Sequence, residues 1–456
     1  MNMKDELIFR RVEISKSFKV NTEVFYLALL YGEELNCMKI DNLVLGAGIS
    51  GLACANEYAK RGKEVAVFEA EGYIGGLCHS FMVGGFRFDS AVHLSFTENE
   101  EARYFFDKTP YQIHEPISYN YYNSLWMKHP LLNNMYPMSV EEKIDCIESF
   151  VERNKIYDIK NYGEWLRASY GDVITQKFYN IYTKKYWTME PEQLSTSWVG
   201  SRLNAPDIRK VLNGAFTDNT GNDYYAKEMR YPQEGGYESF LAPLKDVKIY
   251  CNKRAVEIDL REKRVKFKDG SSCYYNHLVS SIPLPRLVKC ITNIPKEIEV
   301  SSKKLLATKV SLVSVGFNNP DIARWLWFYI YDTDIMAARV NSPSKKSLEN
   351  VPKGCSSLQF EVYHHPNEIV NKKAIIENTK YALKKMKIGK EQDVLFMDYR
   401  LLPYGNIVYT LGMEKERDLV KDYLESVGIK LIGRFGEWDY FWSDQSYLSG
   451  LHAGQE

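Results

Sequence analysis

The sequence has no excess of either charge. Its 59 lysines and arginines are matched by 59 aspartates and glutamates. No global field draws it to nucleic acid or to an anionic membrane, so an anionic ligand must be gripped by local arginines. Paired cysteines are missing too. The eight cysteines are scattered, with no C-x-x-C pair, which argues for reduced thiols and against a disulfide framework or a zinc site. Long apolar runs are absent. The run "VFYLALLY" at residues 24–31 falls short of the roughly 20 apolar residues that cross a bilayer, and no secretory cleavage site follows it. Internal repeats and low-complexity linkers are also lacking. These absences lead us to expect a cytoplasmic protein with no metal, no nucleic-acid partner and no integral membrane segment, its oligomeric state left open.

What is present is ordinary globular composition, 45% hydrophobic and 26% charged over 456 residues, with room for two or three domains. Tyrosine is abundant, at 33. Tyrosine suits a cleft that needs both an apolar body and a hydroxyl. The most informative stretch is "DNLVLGAGISGLACANEYAKRGKEVAVFEAE", residues 41–71. An apolar strand runs into Gly46-Ala47-Gly48-Ile49-Ser50-Gly51, a helix follows, and a second apolar strand ends on Glu69. In a dinucleotide-binding fingerprint the first glycine makes the turn, the second lets the pyrophosphate approach, and the third packs helix on strand. The helix N-terminus, with Ser50 in its first turn, offers free N–H groups to that pyrophosphate. Glu69 lies 18 residues beyond Gly51, near the spacing of about 20 for an acidic residue that binds the adenosine ribose.

The following segments resemble those of amine-oxidase-like flavoproteins, which favours FAD over a nicotinamide. Gly75, Gly76 and Leu77 resemble the second glycine motif beside the FAD, and "GFRFDSAVHLSF", residues 85–96, resembles the segment that passes the flavin ring. Only one dinucleotide fingerprint occurs, so no dedicated nicotinamide domain is expected. Residues 139–155 begin with a capping box, Ser139 and Glu142, and Val140, Ile144, Ile147 and Val151 repeat at helical spacing. Two more helices are expected on either side of Gly171. Asp269-Gly270 marks a hairpin. The expected fold is α/β: a discontinuous Rossmann-like FAD-binding domain (38–115, 229–305 and 401–456), an inserted helical substrate domain (116–228) and an additional antiparallel sheet (306–400). Residues 1–37 read as an N-terminal extension, with the functional chain starting at Met38.

Four further stretches resemble UDP-galactopyranose mutase, the eukaryotic branch more than the bacterial one. They are "YTKKYWTMEPEQLSTSWVGSRLNAPDIRKV", "MRYPQEGGYESF", "WLWFYIYDTDIMAARV" and "GRFGEWDYFWSDQ". The resemblance implies Arg202, fifteen residues past Trp187, and Arg339 as the arginines of the substrate diphosphate, with His93 beside the flavin. It implies Tyr119, Trp187, Tyr329 and Tyr440 as substrate-binding residues. It adds Val256, Gly433, Arg434, Asp444 and Gln445 to the FAD-binding set of Gly46, Gly48, Ser50, Gly51, Glu69, Gly75, Gly76 and Leu77.

The activity so implied is ring contraction of UDP-galactopyranose, or of a related UDP-sugar, for surface polysaccharide synthesis. Non-covalent FAD is active when reduced by an external donor such as NAD(P)H, and acts as a nucleophile on the anomeric carbon with no net consumption of electrons. The chain departs from that family at three places. Ala91-Val92 stand where two glycines are usual, Asn406 where a diphosphate-binding tyrosine is usual, and Asp444 where an asparagine is usual. The alternative is an FAD-dependent oxidoreductase of the amine oxidase or protoporphyrinogen oxidase type, whose site would favour an apolar tunnel without diphosphate arginines.

Overall fold

The strand Met38–Leu45 is the hub of the molecule. Its residues Leu43, Val44 and Leu45 are almost wholly buried, as expected of a strand covered on both faces. Side chains alternate across a strand, and here Leu43 and Leu45 enter one apolar cluster while Val44 enters another. The structure, a computed structural model, describes residues 38–154, 158–200, 207–218, 220–221, 223–224 and 226–456. Residues 1–37 and Arg202 lie outside the described residues.

Around the hub stands a seven-stranded sheet in the order Ala255–Asp259, Arg264–Phe267, Ser272–Ser280, Met38–Leu45, Val65–Phe68, Lys248–Tyr250, with Ile429–Leu431 also paired to Ser272–Ser280. The central pairings are parallel; the two strands at one edge form an antiparallel meander. The expected hairpin is there, with Gly270 at a φ of 91° and the Asp269 carboxylate accepting from the Ser271 N–H at 3.1 Å. The sheet gathers strands from three separate parts of the chain, so the Rossmann-like unit is discontinuous. Helix Ile49–Lys60 covers one face and packs on the last helix, Ser443–Gln455. That approach is very close: a Cβ at Gly450 would lie 2.0 Å from the Ser50 carbonyl oxygen.

A second sheet is antiparallel save for one pairing. Its order is Val394–Leu402, Lys309–Phe317, Ser356–His364, Arg339–Asn341, Trp327–Ile330, Tyr119–Tyr122, Leu125–Lys128. Residues 119–128, expected with the helical insert, thus form two strands of this sheet. Between them and Met229 lie the helices Val140–Glu152, Tyr162–Tyr170, Asn180–Trp187 and Ile208–Phe216.

Two local expectations in the helical part need correction. Ser139 does cap its helix, accepting from the Glu142 N–H at 3.3 Å. The Glu142 carboxylate, however, accepts from the Ser139 hydroxyl at 3.3 Å rather than from its backbone N–H, accepts from the Tyr122 hydroxyl at 3.0 Å and pairs with Lys177. The stripe of Val140, Ile144 and Val151 faces solvent, and Cys146 and Phe150 are the fully buried residues. A helix with apolar residues on more than one face buries the side on which a partner arrives, and periodicity alone does not identify that side. The helical break at Gly171 is present, with φ at 81°. A π-helical turn, Thr175–Tyr179, then leads into Asn180–Trp187.

Candidate functional site

A single cavity of about 990 Å³ runs between the two sheets and the helical insert. One end is built by the turn after Met38–Leu45. Gly46 adopts a φ of 96°, and a Cβ at Gly51 would lie 2.0 Å from the Gly46 carbonyl oxygen. Helix and strand therefore close on each other only because Gly51 has no side chain. At Gly48 a Cβ would meet nothing within 4 Å, because that position opens on the cavity. Glu69 also lines it. Its Oε2 accepts from the Ala47 N–H at 2.8 Å and its Oε1 from the Glu71 N–H at 2.9 Å, so the carboxylate is fixed beside the glycine turn. Ser50, Gly75, Gly76 and Leu77 complete this end, with Lys253, Arg254 and Ala255 opposite.

The middle of the cavity is bordered by Ala91, Val92 and His93. Ala91 has a φ of 86°, a conformation costing a non-glycine residue about 1–3 kcal/mol. The segment is held from outside: the Val92 N–H donates to Glu361 Oε1 at 2.9 Å. His93 Nδ1 lies 3.2 Å from the Ala91 carbonyl oxygen, which suits a neutral imidazole donating from Nδ1. Burial pulls its pKa down to about 4, with Asp89 opposing and Lys346 adding to the fall. Asp89 and Lys346 form a fully buried pair at 3.0 Å. Burial opposes the Asp89 charge, but Lys346, the Tyr237 N–H and the Ser80 hydroxyl outweigh it and hold the carboxyl below its ordinary range. The short helix Pro343–Lys346 thus supplies the cation of that pair.

The far end is aromatic. Asn180–Trp187 presents Tyr182, Tyr186 and Trp187, and the second sheet contributes Tyr329, Tyr331 and Tyr363. Arg339 lies among them. Its guanidinium is 2.8 and 2.6 Å from Glu361 Oε2 through Nε and Nη2, and Nη2 also reaches the Tyr363 hydroxyl at 3.2 Å. Burial opposes its charge, yet Glu361 and the surrounding tyrosines hold it well above the usual arginine range. Arg434 stacks 4.7 Å from the Tyr440 ring and donates to Asn406 Oδ1 at 3.0 Å. The Tyr186 and Tyr440 hydroxyls are 3.2 Å apart. Arg434 Nε and Asn406 Nδ2 are buried without a hydrogen-bond partner.

Gly46, Gly48, Ser50, Glu69, Gly75, Gly76, Leu77, His93, Trp187, Tyr329, Arg339, Arg434 and Tyr440 thus come together on one cavity. Six expected residues do not line it. Gly51 and Gly433 act from behind: a Cβ at Gly433 would lie 2.1 Å from the Ser50 hydroxyl. Gln445 is exposed, and its side chain accepts from the Trp442 N–H at 3.0 Å. Asp444 sits in the first turn of that helix, while Ser443 and Ser446 reach the cavity. Val256, expected to act through its backbone, has a side chain 41% exposed, and its neighbour Ala255 lines the cavity. Tyr119 turns away as well and stacks on Trp325 at 4.4 Å. Sequence reasoning missed Glu361, Tyr182, Tyr186, Tyr363, His129 and Arg286. Only the helical spacing of Tyr182 and Tyr186 was a local signal for any of these.

Comparison with known proteins agrees with this layout. An NAD(P)-binding Rossmann-like domain is the family description that matches, over residues 44–109. A curated relative, all-trans-retinol 13,14-reductase of Rattus norvegicus, is 47% identical over 55 residues, 12% of this chain and 9% of its own. The match therefore spans under a tenth of that relative's length. The solved structure of reduced UDP-galactopyranose mutase superposes with a TM-score of 0.86 at 22% identity, covering 91% of this chain and 93% of its own. A putrescine oxidase double mutant redesigned at its cofactor site gives 0.61 at 14% identity, covering 92% and 99%. The fold is the one these solved structures share. Within it, the architecture is the one seen in UDP-galactopyranose mutase, and the resemblance read from the sequence holds at the level of the fold. Among the described residues no helix is long and apolar enough to cross a membrane, and no group of histidine, cysteine and carboxylate residues could hold a metal.

Proposed function

We propose that the chain is an FAD-dependent nucleotide-sugar mutase that converts a UDP-hexopyranose, UDP-galactopyranose or a close relative, to its furanose form for surface polysaccharide synthesis. The observation that carries this reading is the donor balance of the cavity's far end. Arg339, Asn406 and the tyrosines Tyr182, Tyr186 and Tyr329 set polar, donor-bearing side chains within an otherwise apolar lining. A buried donor without an acceptor costs about 1–3 kcal/mol, so such a wall suits an acceptor-rich ligand such as a diphosphate better than a hydrocarbon.

The glycine end fits FAD. Gly48 leaves room for a pyrophosphate at a helix N-terminus, and Glu69 is fixed where a ribose would be recognised. Gly46, Ser50, Gly75, Gly76, Leu77 and Arg434 would hold the rest without a covalent link. When bound and reduced by a donor such as NAD(P)H, the flavin would supply the nucleophile for the sugar. The chain's own residues orient and neutralise. Arg339, joined by Arg202, would take the charge that grows on the departing diphosphate. Trp187, Tyr329 and Tyr440 would position the nucleotide. Neutral His93, with Nδ1 engaged by Ala91, would offer Nε2 as an acceptor beside the flavin.

The test is a single comparison. Under dithionite, purified yellow protein should isomerise a UDP-hexopyranose, and the oxidised protein should not. Steady oxygen consumption with an amine, and no isomerisation under reduction, would instead establish the oxidase reading.

A further inference from the structure

One residue joins the middle of the cavity to its far end. Glu361 lies on the central strand Ser356–His364 and is wholly buried. Its two carboxylate oxygens are divided. Oε1 accepts from the Val92 N–H at 2.9 Å, while Oε2 takes the Arg339 guanidinium at 2.6 and 2.8 Å and the Tyr363 hydroxyl at 2.8 Å. The backbone prepares this contact, since Arg339 and Glu361 are direct cross-strand partners in an antiparallel ladder. Such neighbours stand within about 5.5 Å at Cβ. On the other side, the Val92 peptide follows the strained Ala91, whose φ of 86° persists only because its surroundings over-determine it. The Glu361 bond to Val92 is one of those restraints.

We propose that Glu361 is a positioning residue that couples the anion end of the cavity to the flavin-side segment 91–93. The coupling follows from sharing one carboxylate. An anion that draws charge from Arg339 weakens that guanidinium's hold on Oε2. The carboxylate then leans more on its remaining donors, the Val92 N–H and the Tyr363 hydroxyl. The peptide beside His93 feels what occupies the far end, and the reverse holds by linkage. The inference rests on the reading that a nucleotide diphosphate binds near Arg339 and a flavin beside His93.

The experiment measures UDP affinity on the oxidised and on the dithionite-reduced holoenzyme, by calorimetry under argon. In the wild type the two dissociation constants should differ by about fivefold or more, the lower end of ordinary coupling. Glu361→Gln keeps an acceptor for the Val92 N–H and loses the charge that binds Arg339, so the ratio should fall to near one while UDP still binds. An unchanged ratio in Glu361→Gln, or a ratio of one in the wild type, overturns the proposal.

A second arm needs no nucleotide. Arg339→Gln should shift the flavin absorption spectrum when Glu361 is present and leave it unshifted in the Glu361→Gln background. The double variant also avoids leaving a lone buried charge, so it remains testable if a single variant fails to fold. Equal spectral shifts in both backgrounds overturn the coupling. Wild-type protein that binds no UDP sinks the nucleotide-sugar reading, and the spectral arm still decides on Glu361.

Discussion

Two glycines three residues apart should fail in opposite ways when each is replaced by alanine. Gly48 has a φ of −73° and ψ of 175°, which any residue adopts, and its missing Cβ faces open space. Gly48→Ala should therefore fold. A smaller unfolded ensemble gains about 0.4–1 kcal/mol, which offsets the poorer capping of alanine, so net stability should stay within about 1 kcal/mol of wild type. The new methyl enters the space where a pyrophosphate would approach the backbone, and FAD affinity should drop at least tenfold. Gly51 sits inside helix Ile49–Lys60, where alanine is intrinsically favoured by about 1 kcal/mol. Its Cβ, however, would lie 2.0 Å from the Gly46 carbonyl oxygen and 3.1 Å from that carbonyl carbon. Backbone cannot step aside as a side chain can, and overpacking of this kind costs about 1–3 kcal/mol or more. Gly51→Ala should lower stability even in FAD-stripped protein. Urea denaturation with and without FAD, together with FAD titration by flavin fluorescence, separates the two effects. Equal destabilisation of the stripped forms, or wild-type FAD affinity in Gly48→Ala, would refute the assignment of these roles.

Arg339→Ala leaves Glu361 buried without its cation and should cost about 3–5 kcal/mol in urea denaturation, much of it restored by adding Glu361→Gln. Lys346→Met should cost a similar amount by stranding Asp89. Arg202→Ala should keep the flavin spectrum and folded fraction while weakening nucleotide-sugar binding and turnover together; lost FAD would make that arginine structural. His93 and His129 both have folded pKa values near 4, chiefly through burial, below the ordinary 6.5. The unfolded chain takes up these protons first. Their contribution is complete above about pH 6.5 and is lost as pH falls towards about 4. His129→Gln should flatten that part of the stability–pH curve, and an unflattened curve would show that His129 is protonated in the fold.

The dinucleotide end was legible because its signals are local. Turn glycine, helix start and acidic strand end lie within one short βαβ stretch, so sequence spacing translates directly into geometry. Tyr119 shows the limit of that translation. Tyr119 registers with Phe328, and it is Asn120 that registers with Tyr329. One position along a strand reverses the face, so Tyr119 joins the cluster behind the sheet while Tyr329 lines the cavity. Glu361 was illegible for another reason. Its partners are 22 residues away across a ladder and 269 residues away in the flavin-side segment, and no local pattern encodes either distance.

The departures from the resemblance find physical counterparts that bear on the choice of reaction. Asn406 replaces a tyrosine, and its Oδ1 is used by Arg434 at 3.0 Å and approached by the Tyr186 hydroxyl at 3.5 Å. Its Nδ2 is left as a buried donor. The exchange therefore keeps the wall donor-rich and gives a shorter side chain in place of a phenol. A hydrocarbon substrate of an oxidase would press against the polar side chain of Asn406, which lines the cavity, without offering it a partner, at about 1–3 kcal/mol. A phosphate or sugar oxygen would offer one. Arg339 argues in the same direction but less strongly, because Glu361 already neutralises it. A ligand there must compete with a carboxylate, so binding energy from Arg339 should be smaller than from an unpaired arginine. Asn406→Leu distinguishes the cases. It replaces the polar side chain by a branched apolar one, so it should leave FAD bound, weaken UDP binding by about tenfold, and improve the fit of an apolar ligand. If UDP binding is unaffected, the donor-rich wall does not face the nucleotide, and the support for a mutase drawn from it falls away.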